Sequence, residues 1–169
     1  MSLPKKLKKF NLFNDGHSYL GEIDEIVLPK LTAKMEEWRA GGMDIPVDVD
    51  LGMEKLTMEC TVGGYMKQVF HQFGLLKVDG VLLRFAGGLQ AEDSEQVVPC
   101  EVIARGRHSE IDPGTAKAGE DTSVKFTSSL SYYKLILDGE VLIEIDALNM
   151  VKKINGTDLM EPFRRALGI

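Results

Sequence analysis

TSVKFTSSLSYYKLILDGEVLIEIDALNMVKK, residues Thr122–Lys153, reads as one long β-hairpin. Val124–Leu137 is rich in β-branched and aromatic residues, Asp138-Gly139 supplies the turn, and Val141–Val151 returns. Asp-Gly between two such runs favours a type I′ turn, which needs positive φ at both central positions. On the returning strand Val141, Ile143, Ile145 and Ala147 point one way, and Leu142, Glu144, Asp146 and Leu148 the other. One face is apolar while the other mixes carboxylates with apolar groups. Such a ribbon predicts a partner surface beyond the chain's own core.

Working outward, the pattern stays β. Val81–Leu89 and Gln96–Arg107 form a second hairpin across a polar tip, with Pro99 expected at an edge or a bulge. Glu54–Val62 alternates Leu56, Met58 and Cys60 with Thr57, Glu59 and Thr61, and Gly63-Gly64 ends it. Leu7–Phe13 closes on the turn Asn14-Asp15-Gly16, and Ser18–Leu28 is its expected partner. The composition of Leu31–Arg39 favours helix, but its neighbours read as β, so a strand is expected there.

Two segments read as helices. In Tyr65–Phe73, Met66, Val69, Phe70 and Phe73 fall at i, i+3, i+4, i+7, leaving Lys67, Gln68, His71 and Gln72 outward. Burying that stripe is worth about 6–10 kcal/mol before entropy, so this helix is expected to plug one side of a sheet. Asp158–Leu167 is a short terminal helix with Pro162 in its first turn and Leu159, Phe163 and Leu167 on one face. The expected fold is mainly β, with about seven strands in a β-sandwich or partly open barrel, one flanking α-helix and a short C-terminal helix. Residues 1–169 read as a single domain. Long loops are expected at Ala40–Met53 and His108–Asp121.

Composition narrows the function. A formal charge of −6 argues against a protein held on nucleic acid by phosphate contacts. Cys60 and Cys100, forty residues apart in the chain, read as free buried thiols of a reducing compartment. No apolar run reaches the roughly 20 residues of a membrane helix, and no signal peptide follows the basic start Lys5–Lys9. His17, His71 and His108 are assigned to a turn, an exposed helix face and a polar loop, without metal-ligand spacing. The glycine pairs match no phosphate-binding loop, and Glu144 with Asp146 reads as a solvated or interface-lining face rather than a catalytic pair. Neither enzyme chemistry nor a cofactor is expected.

EVIARGRHSEIDPGTAKAGED (Glu101–Asp121) followed by YYKLILDGEVLIEIDALNMVKKINGTD (Tyr132–Asp158) resembles the major tail tube proteins of contractile-tailed phages. LPKKLKKFNLFNDGHSYLGE, LPKLTAKMEEWRAGGM, the VDLGMEKL block and VLLRFAGGLQ extend the likeness over essentially the whole chain. Tube subunits of phage-tail-like bacteriocins belong to the same family. The resemblance implies a virion structural protein whose hexameric rings stack into an inner tube within a contractile sheath. The sheath, tape-measure, baseplate and tail-terminator proteins are its implied partners, and DNA passes along the lumen without specific binding. The implied location is the virion tail, after assembly in the host cytoplasm.

On that basis Glu140, Glu144 and Asp146 are candidates for the lumen face, where carboxylates repel DNA. Met43, Asp44, Ile45, Val47, Asp48 and Asp50 in the first loop are candidates for ring stacking. Glu110, Asp112, Lys117, Glu120 and Asp121 in the second are the others. A type VI secretion tube protein shares the architecture but matches these blocks less closely. A small-ligand β-barrel is the alternative from another class, and it predicts a closed apolar pocket.

Overall fold

A computed structural model describes the whole chain, Met1–Ile169. In order it forms β1 (Lys6–Asn14), β2 (His17–Ser18), β3 (Ile23–Val27), β4 (Ala33–Trp38), β5 (Val47–Met53) and β6 (Leu56–Val62). Helix α1 (Lys67–Gln72) leads into β7 (Val81–Gln90), β8 (Val98–Asp112) and β9 (Val124–Leu137). The chain ends with β10 (Glu140–Asp146), β11 (Val151–Ile154), β12 (Thr157–Asp158) and α2 (Glu161–Leu167).

Strand β9 is the spine. On one edge β8 pairs with it from Cys100–Leu137 to Asp112–Lys125. The other edge is shared: β6 takes Val124–Leu130, and β10 takes Tyr132–Leu137. The sheet therefore forks near Leu130. One branch runs β12-β11-β10-β9-β8-β7-β1-β2, and the other is β9-β6-β3. Between the branches lies a core of 15 buried residues, with Leu56, Met58, Cys60 and Val62 of β6 joined to Leu12, Leu83, Phe85, Val102 and Phe126. The result is an open β-sandwich rather than a closed barrel. Close backbone approach at the fork requires glycine: a Cβ on Gly106 would overlap the Ser129 carbonyl oxygen and lie 2.9 Å from Leu130 Cα.

The long hairpin forms as its turn chemistry demands, with φ of 51° at Asp138 and 79° at Gly139. Its returning strand stops at Asp146 rather than Val151, because the Asp146 carboxylate accepts the amides of Leu148 and Asn149 and closes a second turn. Ser18–Leu28 does not partner β1 as a whole. Only His17–Ser18 does so, while Ile23–Val27 crosses to β6. Pro99 sits neither on an edge strand nor in a bulge; it pairs with Gly88 near the start of β8, and its carbonyl accepts the Asp138 amide at 2.9 Å. Both expected loops shrink. Val47–Met53 is strand β5, paired with β4, and His108–Asp112 continues β8.

Helix α1 is rotated relative to its apolar stripe. Val69 and Gln72 point inward, while Phe70 and Phe73 stay exposed, with Phe70 stacked on Tyr65 at 5.8 Å. A polar cluster that only the fold assembles selects this face. Gln72 Nε2 donates to Asn14 Oδ1 at 2.6 Å and to Asp15 Oδ2 at 2.7 Å. Gln72 Oε1 accepts from Asn14 Nδ2 and lies 2.9 Å from His108 Nε2. Tyr19 and Gln68 complete the cluster, and no buried side-chain polar atom of the chain lacks a partner. His108 is thus a buried strand residue, 6% exposed, and not part of a polar loop.

Candidate functional site

β4 and β5 form a two-stranded arm outside the main sheet. All of its residues are exposed except Met53, which is half-buried. Register sorts its side chains. Trp38 opposite Val47 and Glu36 opposite Val49 share one face, which is predominantly apolar. Glu37 opposite Asp48 and Met35 opposite Asp50 share the other, placing two carboxylates directly across from each other. An isolated two-stranded hairpin is marginal in water, and like charges across it weaken it further. Trp38 is nonetheless 60% exposed, with Val47, Val49 and Leu51 exposed beside it. Such a face calls for a covering partner.

Of the first set of stacking candidates, Val47, Asp48 and Asp50 lie on β5 of the arm, while Met43, Asp44 and Ile45 form its tip. Arg39 Nε donates to the Met43 carbonyl there at 3.2 Å. The arm's base is fixed by the Glu54 amide on the Thr32 carbonyl at 2.9 Å. Beside it an open, largely apolar groove of about 640 Å³ runs between the arm, the β10–β11 turn and α2. Met53, Ile145, Met150, Leu159 and Phe163 line it. Helix α2 buries none of its residues, Phe163 and Leu167 among them, and Leu159 just ahead of it is exposed as well. Its tether is polar: Arg164 donates to the Met150 carbonyl and to Asp158 Oδ2, both at 2.6 Å. That bond from Arg164 holds the Asp158 carboxyl below its ordinary range.

The second set divides between two elements. Glu110 and Asp112 stand on β8, whereas Lys117, Glu120 and Asp121 sit in the connection from 113 to 123. That connection is held by local contacts, among them Lys117 Nζ to Glu120 Oε1 at 3.1 Å and the Gly114 amide on Asp112 Oδ1. The three candidates of the long hairpin also differ in surroundings. Glu140 is exposed beside the turn. Glu144 accepts a hydrogen bond from Tyr132 Oη at 2.6 Å and lies 3.9 Å from both Lys134 and Lys153. Asp146 caps the next turn. Glu144 is therefore a compensated charge, a role set by cross-strand neighbours that the strand's own sequence does not contain. Burial pushes the Cys60 thiol up to about 12, which suits an inert core residue.

Two edges of the main sheet are also unpaired. β2 covers only Phe13 and Asn14 of β1, and β3 has β6 as its sole neighbour. A family profile described as "Phage tail tube protein FII" matches residues 4–168. The chain belongs to the phage tail tube protein FII family. It is 43% identical to the tail tube protein of Escherichia phage P2, over 100% of both chains. Identity is 40% to the major tail tube protein of Serratia phage KSP20, covering 94% of this chain and 92% of that one. The fold recurs, at 8% identity and a TM-score of 0.58, in a sheath–tube complex of an extracellular contractile injection system (79% of this chain, 90% of that one). The arm, the groove and the free edges are the surfaces that the subunit itself leaves uncovered.

Proposed function

We propose that this chain is the structural subunit of a phage tail tube, closing into hexameric rings that stack inside a contractile sheath. The amphipathic β4–β5 arm carries the reading: it projects an apolar face that nothing in its own subunit covers. A second copy is the occupant that suits a repeating assembly, since contacts that do not close on themselves propagate into filaments. The free edges of β1 and β3 offer backbone groups for strand addition between neighbours. A pooled barrel is also the route to a channel wide enough for duplex DNA, because barrel diameter grows with strand number.

The solvent face of β7–β10 suits the channel wall. Its charges are largely paired, Arg84 with Glu101 at 2.6 Å and Glu144 between Lys134 and Lys153. A wall balanced in this way neither traps DNA as a basic one would nor depends on bare carboxylates. The sheath would cover the outside, with baseplate, terminator and tape-measure proteins setting the ends and length of the tube. Assembly would begin in the host cytoplasm and finish in the virion tail. The open groove argues against a closed ligand pocket and so against the small-ligand barrel.

Negative-stain electron microscopy of the concentrated chain is expected to show rings or stacked rings with a central channel. A chain that sediments as a monomer at every concentration, even when seeded with pre-formed tubes, overturns the assignment. The segment from 113 to 123 is expected to exchange its amides rapidly in the free subunit and slowly in tubes, because it lacks long-range hydrogen bonds of its own. Equal protection in the two states would remove it from the ring contacts.

A further inference from the structure

We propose that the Asn14–Gln72–His108 cluster is a proton-operated latch: it docks α1 and its aromatic face on the sheet, and mildly acidic pH releases them while the sheet stays folded. The proposal holds whether or not the subunit builds a tube.

Few contacts hold α1 on the sheet. The helix has six residues, no side-chain cap, and Val69 as its buried apolar group, with Met66 packed against the core from the preceding residue. Its other buried side chain is Gln72, whose amide meets Asn14, Asp15 and His108. Gln68 adds bonds to the Asn14 carbonyl and the Tyr19 hydroxyl. Tyr65, Phe70, Phe73 and Leu76 (88% exposed) cluster on and around the side turned to solvent. Docking the helix therefore fixes where an apolar surface is displayed.

The protonation state follows from the bonding. An amide oxygen can only accept, so His108 Nε2, 2.9 Å from Gln72 Oε1, carries the hydrogen. His108 Nδ1, 2.9 Å from Ser128 Oγ, is then the acceptor of the serine hydroxyl. A second proton on Nδ1 reverses that bond, so the serine hydroxyl must give up its acceptor and take the imidazolium N–H instead. It also places a cation beside the Phe126 ring, 4.9 Å off. The groups around the imidazole offer little relief. Asp15, in the β1–β2 turn, is the single facing carboxylate, and both its oxygens are already engaged, by Gln72 and by the Leu82 amide. Tyr19, ahead of β3, is neutral with its phenol raised to about 12, and Cys60 of β6 is a neutral buried thiol. On α1, His71 is turned to solvent. Arg107, next on β8, is exposed and holds the Leu76 carbonyl.

Burial accordingly pushes His108 down from 6.5 to about 4, with Asp15 opposing. Once α1 lifts away the imidazole is wet and returns to its ordinary value. Between those two values the released form binds the proton and the docked form does not, so docking weakens as pH falls through this window. Above it both forms are neutral and pH has no effect.

Hydrogen exchange read by mass spectrometry on the full chain, corrected for intrinsic pH dependence, tests this. Protection over residues 63–80 is expected to fall about thirty-fold from about pH 7.5 to about pH 5, while β6–β9 keep theirs. His108→Gln, which retains a donor toward Gln72 but cannot titrate, is expected to remove the pH dependence. If that variant does not fold, His108→Asn, which is equally unable to titrate, carries the same expectation. Protection over 63–80 that is unchanged at pH 5, that is lost in step with the strands, or that stays pH-dependent in the variant overturns the latch.

Discussion

Gly106→Val is expected to abolish folding, and Gly106→Ala to lower the melting temperature by about 10 °C or more. Gly106 lies in β8 where the sheet forks, at a register shift between Arg105 and Gly106. A Cβ there overlaps the Ser129 carbonyl oxygen and comes within 2.9 Å of Leu130 Cα and the Ser129 carbonyl carbon. These are backbone atoms of the neighbouring strand, so no rotamer change relieves them. Separating β8 from β9 would open the pairing that serves both branches of the sandwich. A cost of about 4 kcal/mol or more is a large part of the 5–15 kcal/mol that a domain has in total. Gly87→Ala is the control. Its Cβ would meet Leu7 Cδ1 at 2.7 Å and Phe85 Cζ at 2.9 Å, both of them side-chain atoms, and the Leu7 end at least is exposed and free to move. Thermal unfolding of the two alanine variants decides: equal, small losses would mean that the strands do not approach at Gly106 as closely as the fold requires.

Excising the arm is expected to leave the subunit folded and to eliminate tubes. Thr32 and Glu54 are already joined by a backbone hydrogen bond, so an Asn-Gly turn can replace Ala33–Met53 without moving either end. Since the excised residues are almost all exposed, thermal stability should change little. The apolar face that is lost (Trp38, Val47, Val49 and Leu51) offers about 1.5–3 kcal/mol per large side chain once covered by a neighbour. Losing even two such contacts raises the concentration needed for assembly by more than about 100-fold. Trp38→Asp tests the same face with the arm in place, and Glu37→Gln on the opposite face should affect assembly far less. Abundant tubes from the excised chain would show that the arm is not a stacking element.

Much of this was legible locally. Asp138-Gly139, Asn14-Asp15-Gly16 and Asn155-Gly156 announce turns that form with positive φ where expected. Leu56–Val62 alternates in burial as its sequence alternates in polarity. Turn chemistry and period-two patterning act over a few residues, so they survive without knowledge of the partner strand. The arm's second half was read as a loop, because Gly41-Gly42, Pro46 and the aspartates mask the strand that follows.

What the sequence alone determined is therefore the β class, the hairpins and the family. The tertiary structure decided which faces are covered. The apolar stripe of α1 pointed to Phe70 and Phe73, yet Gln72 turns inward to meet Asn14, Asp15 and His108, which lie far from it in the chain. The carboxylate of Glu144 was evident, but its neutralisation by Lys134 and Lys153 depends on the pairing of β9, β10 and β11. The physical reason is common to both. A periodic pattern reveals that a face is apolar or charged, whereas what lies opposite it is set by segments brought together only when the chain folds.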